Sequence, residues 1–81
     1  MAYYIAETMN GGAVNLGELW VKTRAQSLSG AKRAAKRRQV FCGTWLYVGW
    51  KAKGAKVIEI ESRFVCDALD MSDKGRWIDR D

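Results

Sequence analysis

Ser27-Leu28-Ser29-Gly30-Ala31-Lys32-Arg33-Ala34-Ala35-Lys36-Arg37-Arg38 is the stretch whose reading decides the fold. From Leu28 onward it is built of Ala, Lys, Arg and Leu, all good helix formers, with Gly30 near the start. Ser27 or Ser29 precedes it as a cap, because a serine hydroxyl accepts from the unpaired amides of a first helical turn. The spacing predicts a helix over 28–38. At about 100° per residue, Leu28, Ala31, Ala35 and Gln39 fall within roughly 80° of one another. Arg33, Lys36 and Arg37 span the opposite arc, with Lys32 at its border. Small alanines on the inner face let such a helix lie close on a sheet, and bases near its C-terminus suit the helix dipole.

The segments on either side read as strands. Residues 3–9 are rich in Tyr and Ile, and Asn10-Gly11-Gly12 marks a turn that opens a loop to Gly17. Glu18 to Gln26 alternates, with Leu19, Val21 and Thr23 on one face and Trp20, Lys22 and Arg24 on the other, the pattern of a half-buried strand. Residues 44–50, Thr-Trp-Leu-Tyr-Val-Gly-Trp, form another strand. Lys51 to Lys56 reads as a basic hairpin loop, and Val57 to Glu61 as a second half-buried strand. Arg63 to Leu69 either continues that strand or forms its own. Ser72-Asp73-Lys74-Gly75 is a turn, and Arg76 to Asp79 a short closing strand. Short connections favour antiparallel neighbours. The expectation is a single α+β domain over residues 1–81, an antiparallel sheet of four to five strands with one helix on one face. One helix cannot cover both faces of a parallel sheet.

Composition narrows function. Between Glu18 and Glu59 there are ten basic side chains and no acidic one, within a chain of net charge +5. Residues 1–58 carry ten bases and two acids, and residues 59–81 four bases and seven acids, so one face should be basic and another mixed. A tract of one sign attracts polyanions or acidic protein surfaces. An 81-residue chain buries roughly 60% of its unfolded surface, enough for one modest core, and 48% hydrophobic content argues against disorder. Met1 to Glu7 does not read as a signal peptide, and no apolar stretch approaches the ~18 residues of a membrane span.

The chemistry of catalysis is missing. The chain has no histidine, so it offers no Ser-His-Asp or Cys-His machinery. No glycine run precedes a Lys-Ser/Thr pair as in a phosphate-binding loop. Cys42 and Cys66 are too far apart in sequence for a CxxC pair, and no metal-ligand set or cofactor site is expected. Reduced, buried thiols are the favoured state over a disulfide. Glu59 and Glu61 read as a solvated strand face. The chain therefore reads as a binder, not an enzyme.

No acid stands at i+4 from any of the five helix bases, so a partner that neutralises them is the economical reading. If that partner were nucleic acid, about five phosphates would give a log–log salt slope near −4 to −5. Trp20, Tyr47 and Trp50 would add stacking if exposed, although core or cross-strand packing is their ordinary use. A protein partner fits equally, because Arg, Trp and Tyr are the residues enriched at interface hot spots.

The wording around the helix adds a candidate partner. Ser27-Leu28-Ser29-Gly30-Ala31-Lys32-Arg33-Ala34-Ala35, followed by Gln39-Val40-Phe41-Cys42-Gly43-Thr44, resembles a family of small phage anti-CRISPR proteins. Those proteins inhibit the type I-F surveillance complex by docking on its backbone subunits. The Tyr4-Ile5 opening and the Gly75-Arg76-Trp77-Ile78-Asp79 close look like that family's ends, so the likeness covers more than half of the chain. The resemblance implies a curved antiparallel sheet with one helix, and occupancy of the groove where target DNA would pair with the guide RNA. It implies partner contacts at Lys32, Arg33, Arg37, Gln39, Phe41 and Arg76, and Lys36 joins them from its place on the outward arc of the helix. It further implies a site of action in the host bacterial cytoplasm, a monomer, and a possible non-specific contact with double-stranded DNA.

Two departures stand out. Arg38 is basic where the family carries an acid, and it joins the candidate contacts here. Residues 49–72 are longer than the family's hairpin and bring Lys51, Lys53 and Lys56 as a second basic contact, which opens other type I subtypes such as I-C. The alternative to a type I Cascade inhibitor is a stand-alone small basic nucleic-acid-binding module of phage origin.

Overall fold

The 11-residue helix forms where the sequence places it. Ser27, in an extended conformation, accepts from the Gly30 N–H at 3.1 Å and caps helix α1, Leu28–Arg38. No acid lies in its first turn, and Lys36, Arg37 and Arg38 fill its last, at the negative end of the dipole. The computed structural model describes residues 2–9, 20–51, 58–67, 69–70 and 72–80. Around α1 run strands β1 (Tyr3–Thr8), β2 (Val21–Lys22), β3 (Trp45–Lys51), β4 (Ile58–Val65) and β5 (Arg76–Asp79). The fold is α+β. The sheet has the order β2-β1-β3-β4-β5, and every neighbouring pair is antiparallel.

The core lies between α1 and one face of the sheet. Ile5 of β1 pairs across from Val48 of β3, and Leu46 of β3 from Phe64 of β4, so these side chains share a face. Ala31 and Ala35 of the helix complete the buried cluster. Both alanines are almost wholly buried, the close approach that a small inner face permits. Trp77 of β5 closes the cluster edge-to-face against Phe64, with ring centroids 5.3 Å apart.

The structure alters two readings of the sequence and decides one that was left open, between a continued β4 and a separate strand. Of the expected strand over Glu18 to Gln26, Glu18 and Leu19 lie outside the described residues, and among the rest the strand is Val21–Lys22, both exposed rather than half-buried. Beyond Lys22, the Thr23 N–H still donates to the Tyr3 carbonyl at 2.9 Å. The Thr23 hydroxyl then accepts from the Ala25 N–H at 3.1 Å and draws the chain out of the ladder towards the helix cap. Second, the strand expected from Val57 to Glu61 runs on through Val65. Its register passes from Val48↔Ser62 to Gly49↔Ile60, which leaves Glu61 as the extra residue of a bulge. Third, Cys42 is exposed and Cys66 half-buried, both as free thiols, where buried thiols were expected. Cys42 sits in the turn that follows the helix and has no sheet to cover it.

The expected turn and loop at 10–17, and all of the expected hairpin loop Lys51 to Lys56 except Lys51, lie outside the described residues, as does Val57. The turn before β5 is organised by aspartates. Asp73 accepts from the Gly75 N–H at 2.8 Å and from the Asp67 N–H at 2.7 Å, and these bonds hold its carboxyl below the usual carboxylate range. Gly75 takes φ 76°, and a Cβ there would strike the Phe64 ring and the Val65 carbonyl. Among the described residues no helix is long and apolar enough to cross a membrane.

Candidate partner interface

The outer face of α1 presents Arg33, Lys36 and Arg37 to solvent, while Arg38, in phase with Ala31 and Ala35, is exposed where the helix runs past the core. Inward alanines at Ala31 and Ala35 set this phasing, which turns Arg33, Lys36 and Arg37 to the opposite arc and leaves Lys32 at the border. Among the described residues no ion pair engages Arg33, Arg37 or Arg38.

Lys32 behaves differently from its neighbours. Its Nζ lies 2.7 Å from Asp79 Oδ1 on β5 and 5.6 Å from the centroid of the Trp77 ring. Asp79 in turn accepts from the Ser62 hydroxyl at 2.5 Å. The Lys32 bond, followed by that of Ser62, holds the Asp79 carboxyl below its ordinary range. Lys32 was expected to join the outward arc as a partner contact, and it is instead largely covered and neutralised from within the chain. Lys36 is intermediate in role. It is exposed, yet its ammonium stands 4.1 Å over the Phe64 ring and donates to Gln39 Oε1 at 3.3 Å.

Arg24 joins the basic face. It lines a shallow cleft with Gly30, Arg33 and Arg37, having been carried there when the chain left the sheet after Thr23. Sequence reasoning passed over it because alternation put Arg24 on a sheet face. The signal that could have found it is its place in the acid-free tract, three residues before the cap. A second cleft sets Arg33, Lys36 and Arg37 beside Trp77.

At the helix C-terminus the chain turns through Gln39, Val40, Phe41, Cys42 and Gly43, the last at φ 80°. Glu7 on β1 holds this loop. The Val40 N–H donates to Glu7 Oε1 and Oε2 at 3.0 and 3.1 Å, the Phe41 N–H donates to Oε2 at 3.1 Å, and the buried Thr44 hydroxyl donates to Oε2 at 2.5 Å. Burial pushes the Glu7 carboxyl up, but the bonds from Thr44, Val40 and Phe41 outweigh it, and the net shift is downward. Gln39 is fixed as well, its amide donating to Thr44 Oγ1 at 3.4 Å. Phe41 is left exposed on a loop whose backbone is pinned.

The remaining expected contacts lie apart. Arg76 is exposed and pairs across from Val65, on the face opposite to Trp77 and therefore away from the helix. Lys51 closes β3, and Lys53 and Lys56 lie outside the described residues. The aromatic side chains proposed for stacking are packed instead. Trp20 meets the buried Tyr47 edge-on with ring centroids 6.5 Å apart, and Trp50 Nε1 donates to Glu61. Glu59 and Glu61 face Arg80, at 3.3 and 3.7 Å. Among the described residues no group of three potential metal ligands converges.

The arrangement therefore offers a cationic helix face, Arg24, Arg33 and Arg37, with Arg38 at the end of the helix and a pinned loop displaying Phe41 directly after it. No protein-family model, no curated protein and no solved structure matches this chain.

Proposed function

We propose that this chain is a binding protein, not an enzyme, which docks on the backbone subunits of a type I CRISPR RNA-guided surveillance complex (Cascade) and blocks pairing of target DNA with the guide. One observation carries the reading. Arg33 and Arg37, which the anti-CRISPR resemblance assigns to partner contact, stand exposed without an internal counter-ion among the described residues, and the pinned Gln39–Phe41 loop follows directly. Helix cations unneutralised by their own fold favour a partner that supplies the opposite charge. The pinned loop reduces the ordering cost of docking. The protein would act as a monomer of phage origin in the bacterial cytoplasm, by occupancy alone.

The test is a gel-shift of purified type I-F and I-C complexes on their matched targets with the inhibitor at saturation. Loss of target binding by one of them is expected, and undiminished binding by both contradicts the proposal.

The shared cleft of Arg24, Arg33 and Arg37 favours one other reading, a stand-alone nucleic-acid-binding module. Titration with duplex DNA and duplex RNA at two salt concentrations separates the two. Tight, steeply salt-dependent binding with no protein partner present supports the module, whereas weak non-specific binding agrees with the Cascade reading.

A further inference from the structure

Beside the cationic face lies a groove of different character. Its volume is about 250 Å³, and its floor is the core itself, Ile5, Ala35 and Leu46. Its walls are Val21, 39% exposed, and Val40, 72% exposed, and Arg38 stands at its rim. With Phe41, next in the chain and 61% exposed, these valines are three of the five exposed large apolar side chains among the described residues. Isolated exposed apolar residues need no explanation, but a gathered set around an apolar groove marks an interaction surface.

We propose that this groove receives one apolar side chain of a protein partner, with a carboxylate of the same partner segment placed on Arg38. The size suits a single side chain, since drug-sized ligands need pockets of roughly 300–1,000 Å³. The walls are aliphatic, so they give a nucleobase no ring on which to stack. One guanidinium at the rim is too little to follow a phosphate backbone, but it matches one carboxylate.

The charge around the groove points the same way. The one acid in its lining among the described residues, Glu7, has both oxygens engaged by Val40, Phe41 and Thr44. Arg38 has no ion-pair partner among the described residues. The free charge at the rim is thus positive, complementary to an acidic segment. The same Glu7 bonds hold the Val40 wall in place before any partner arrives. The groove adjoins the last turn of α1, so it extends the docking surface proposed above, and it rests on that reading only for the partner's identity.

The first arm of the test uses the protein alone. Naphthalenesulfonate and naphthylmethylammonium share an aromatic body and differ in the sign of their charge. The sulfonate is expected to shift the NMR signals of Val21, Ala35 and Val40, and to bind about fivefold tighter than the ammonium. Arg38→Glu should reverse that preference, and Val40→Asp, which puts a carboxylate in the wall, should weaken the sulfonate by about tenfold. Shifts elsewhere, no shifts, or equal affinity for both charges overturn the groove.

The second arm titrates Val40→Asp against the purified surveillance complex, with about tenfold weaker binding than wild type expected. Wild-type affinity overturns the groove as a partner contact. If the wild-type chain itself ignores the complex, the proposed function fails, while the first arm still decides the groove. Concentration-dependent dimers that Val40→Asp abolishes would assign the groove to a second copy and overturn the proposal.

Discussion

At the scale of single residues, Glu7 has the widest reach. Its carboxylate ties the first strand to the loop after the helix, across more than thirty positions of sequence. Glu7→Ala should cost about 1–2 kcal/mol, since charge-assisted bonds at a half-exposed site contribute less than buried ones. In hydrogen exchange, the Val40 and Phe41 amides should lose protection while the strands keep theirs. Unchanged protection at those two amides would contradict the role given to Glu7.

The pH dependence has a definite sign. The Glu7 carboxyl is held below its ordinary value, as are those of Asp73 and Asp79. A depressed carboxyl stabilises the fold above its unfolded pKa, and that contribution is lost as pH falls through the folded pKa. Thermal stability should therefore decline on acidification from about pH 5 downward, and less steeply in Glu7→Gln. A Glu7→Gln curve parallel to wild type would count against the account. Gly75 gives a sharper case. Gly75→Ala combines a left-handed backbone with a collision against Phe64, and should lower stability by about 2 kcal/mol or more on denaturant titration. The turn at Gly75 was legible in the sequence, but the roles of Glu7 and Asp79 were not. Glu7 reads there as one more polar strand residue, because its partners come near only once β1 pairs with β3. Asp79 likewise announces nothing of Lys32.

At the scale of elements, legibility follows how local the determinant is. The helix was readable to the residue because its signals, the Ser27 hydroxyl and the four-residue spacing of Ala31 and Ala35, act within one or two turns. The β5 strand was readable from Gly75 and the short alternation after it. Two strands were not. The end of β2 depends on the Thr23 hydroxyl competing for the Ala25 amide, and the bulge at Glu61 depends on the register against Gly49. Both are choices between local and cross-strand partners that one-dimensional alternation cannot rank.

The close seat of the helix yields its own expectation. Ala31→Leu adds bulk where α1 is wholly buried against the core cluster, and should cost about 1–3 kcal/mol in chemical denaturation. The outer face tolerates change. Arg33→Glu with Arg37→Glu should leave the far-ultraviolet circular dichroism intact, because both side chains are exposed and unpaired among the described residues. Loss of the helical signal in that double variant would contradict the phasing.

At the scale of the whole molecule, the charge asymmetry seen in the sequence is partly resolved inside the fold. Basic residues of the first part meet acidic residues of the last, as Lys32 does with Asp79. Of the five helix bases counted along the chain, Arg33, Arg37 and Arg38 are exposed with neither an ion pair nor a ring contact among the described residues, and Arg24 joins them to make four. If all four met phosphates, log K should fall against log salt with a slope of about −3 to −4. A slope near zero would show that the partner is engaged through apolar and neutral contacts.

The central claim is that this exposed arginine face, with the loop behind it, occupies a type I surveillance complex and denies it target DNA. The most direct measurement is target binding by purified type I-F and I-C complexes, titrated in parallel with the wild-type chain and the folded Arg33→Glu, Arg37→Glu double variant. The account expects the wild type to abolish target binding by one of them, and the variant to need at least about tenfold more protein for the same effect. Full target binding by both complexes at saturating wild-type protein would contradict it, as would equal inhibition by wild type and variant.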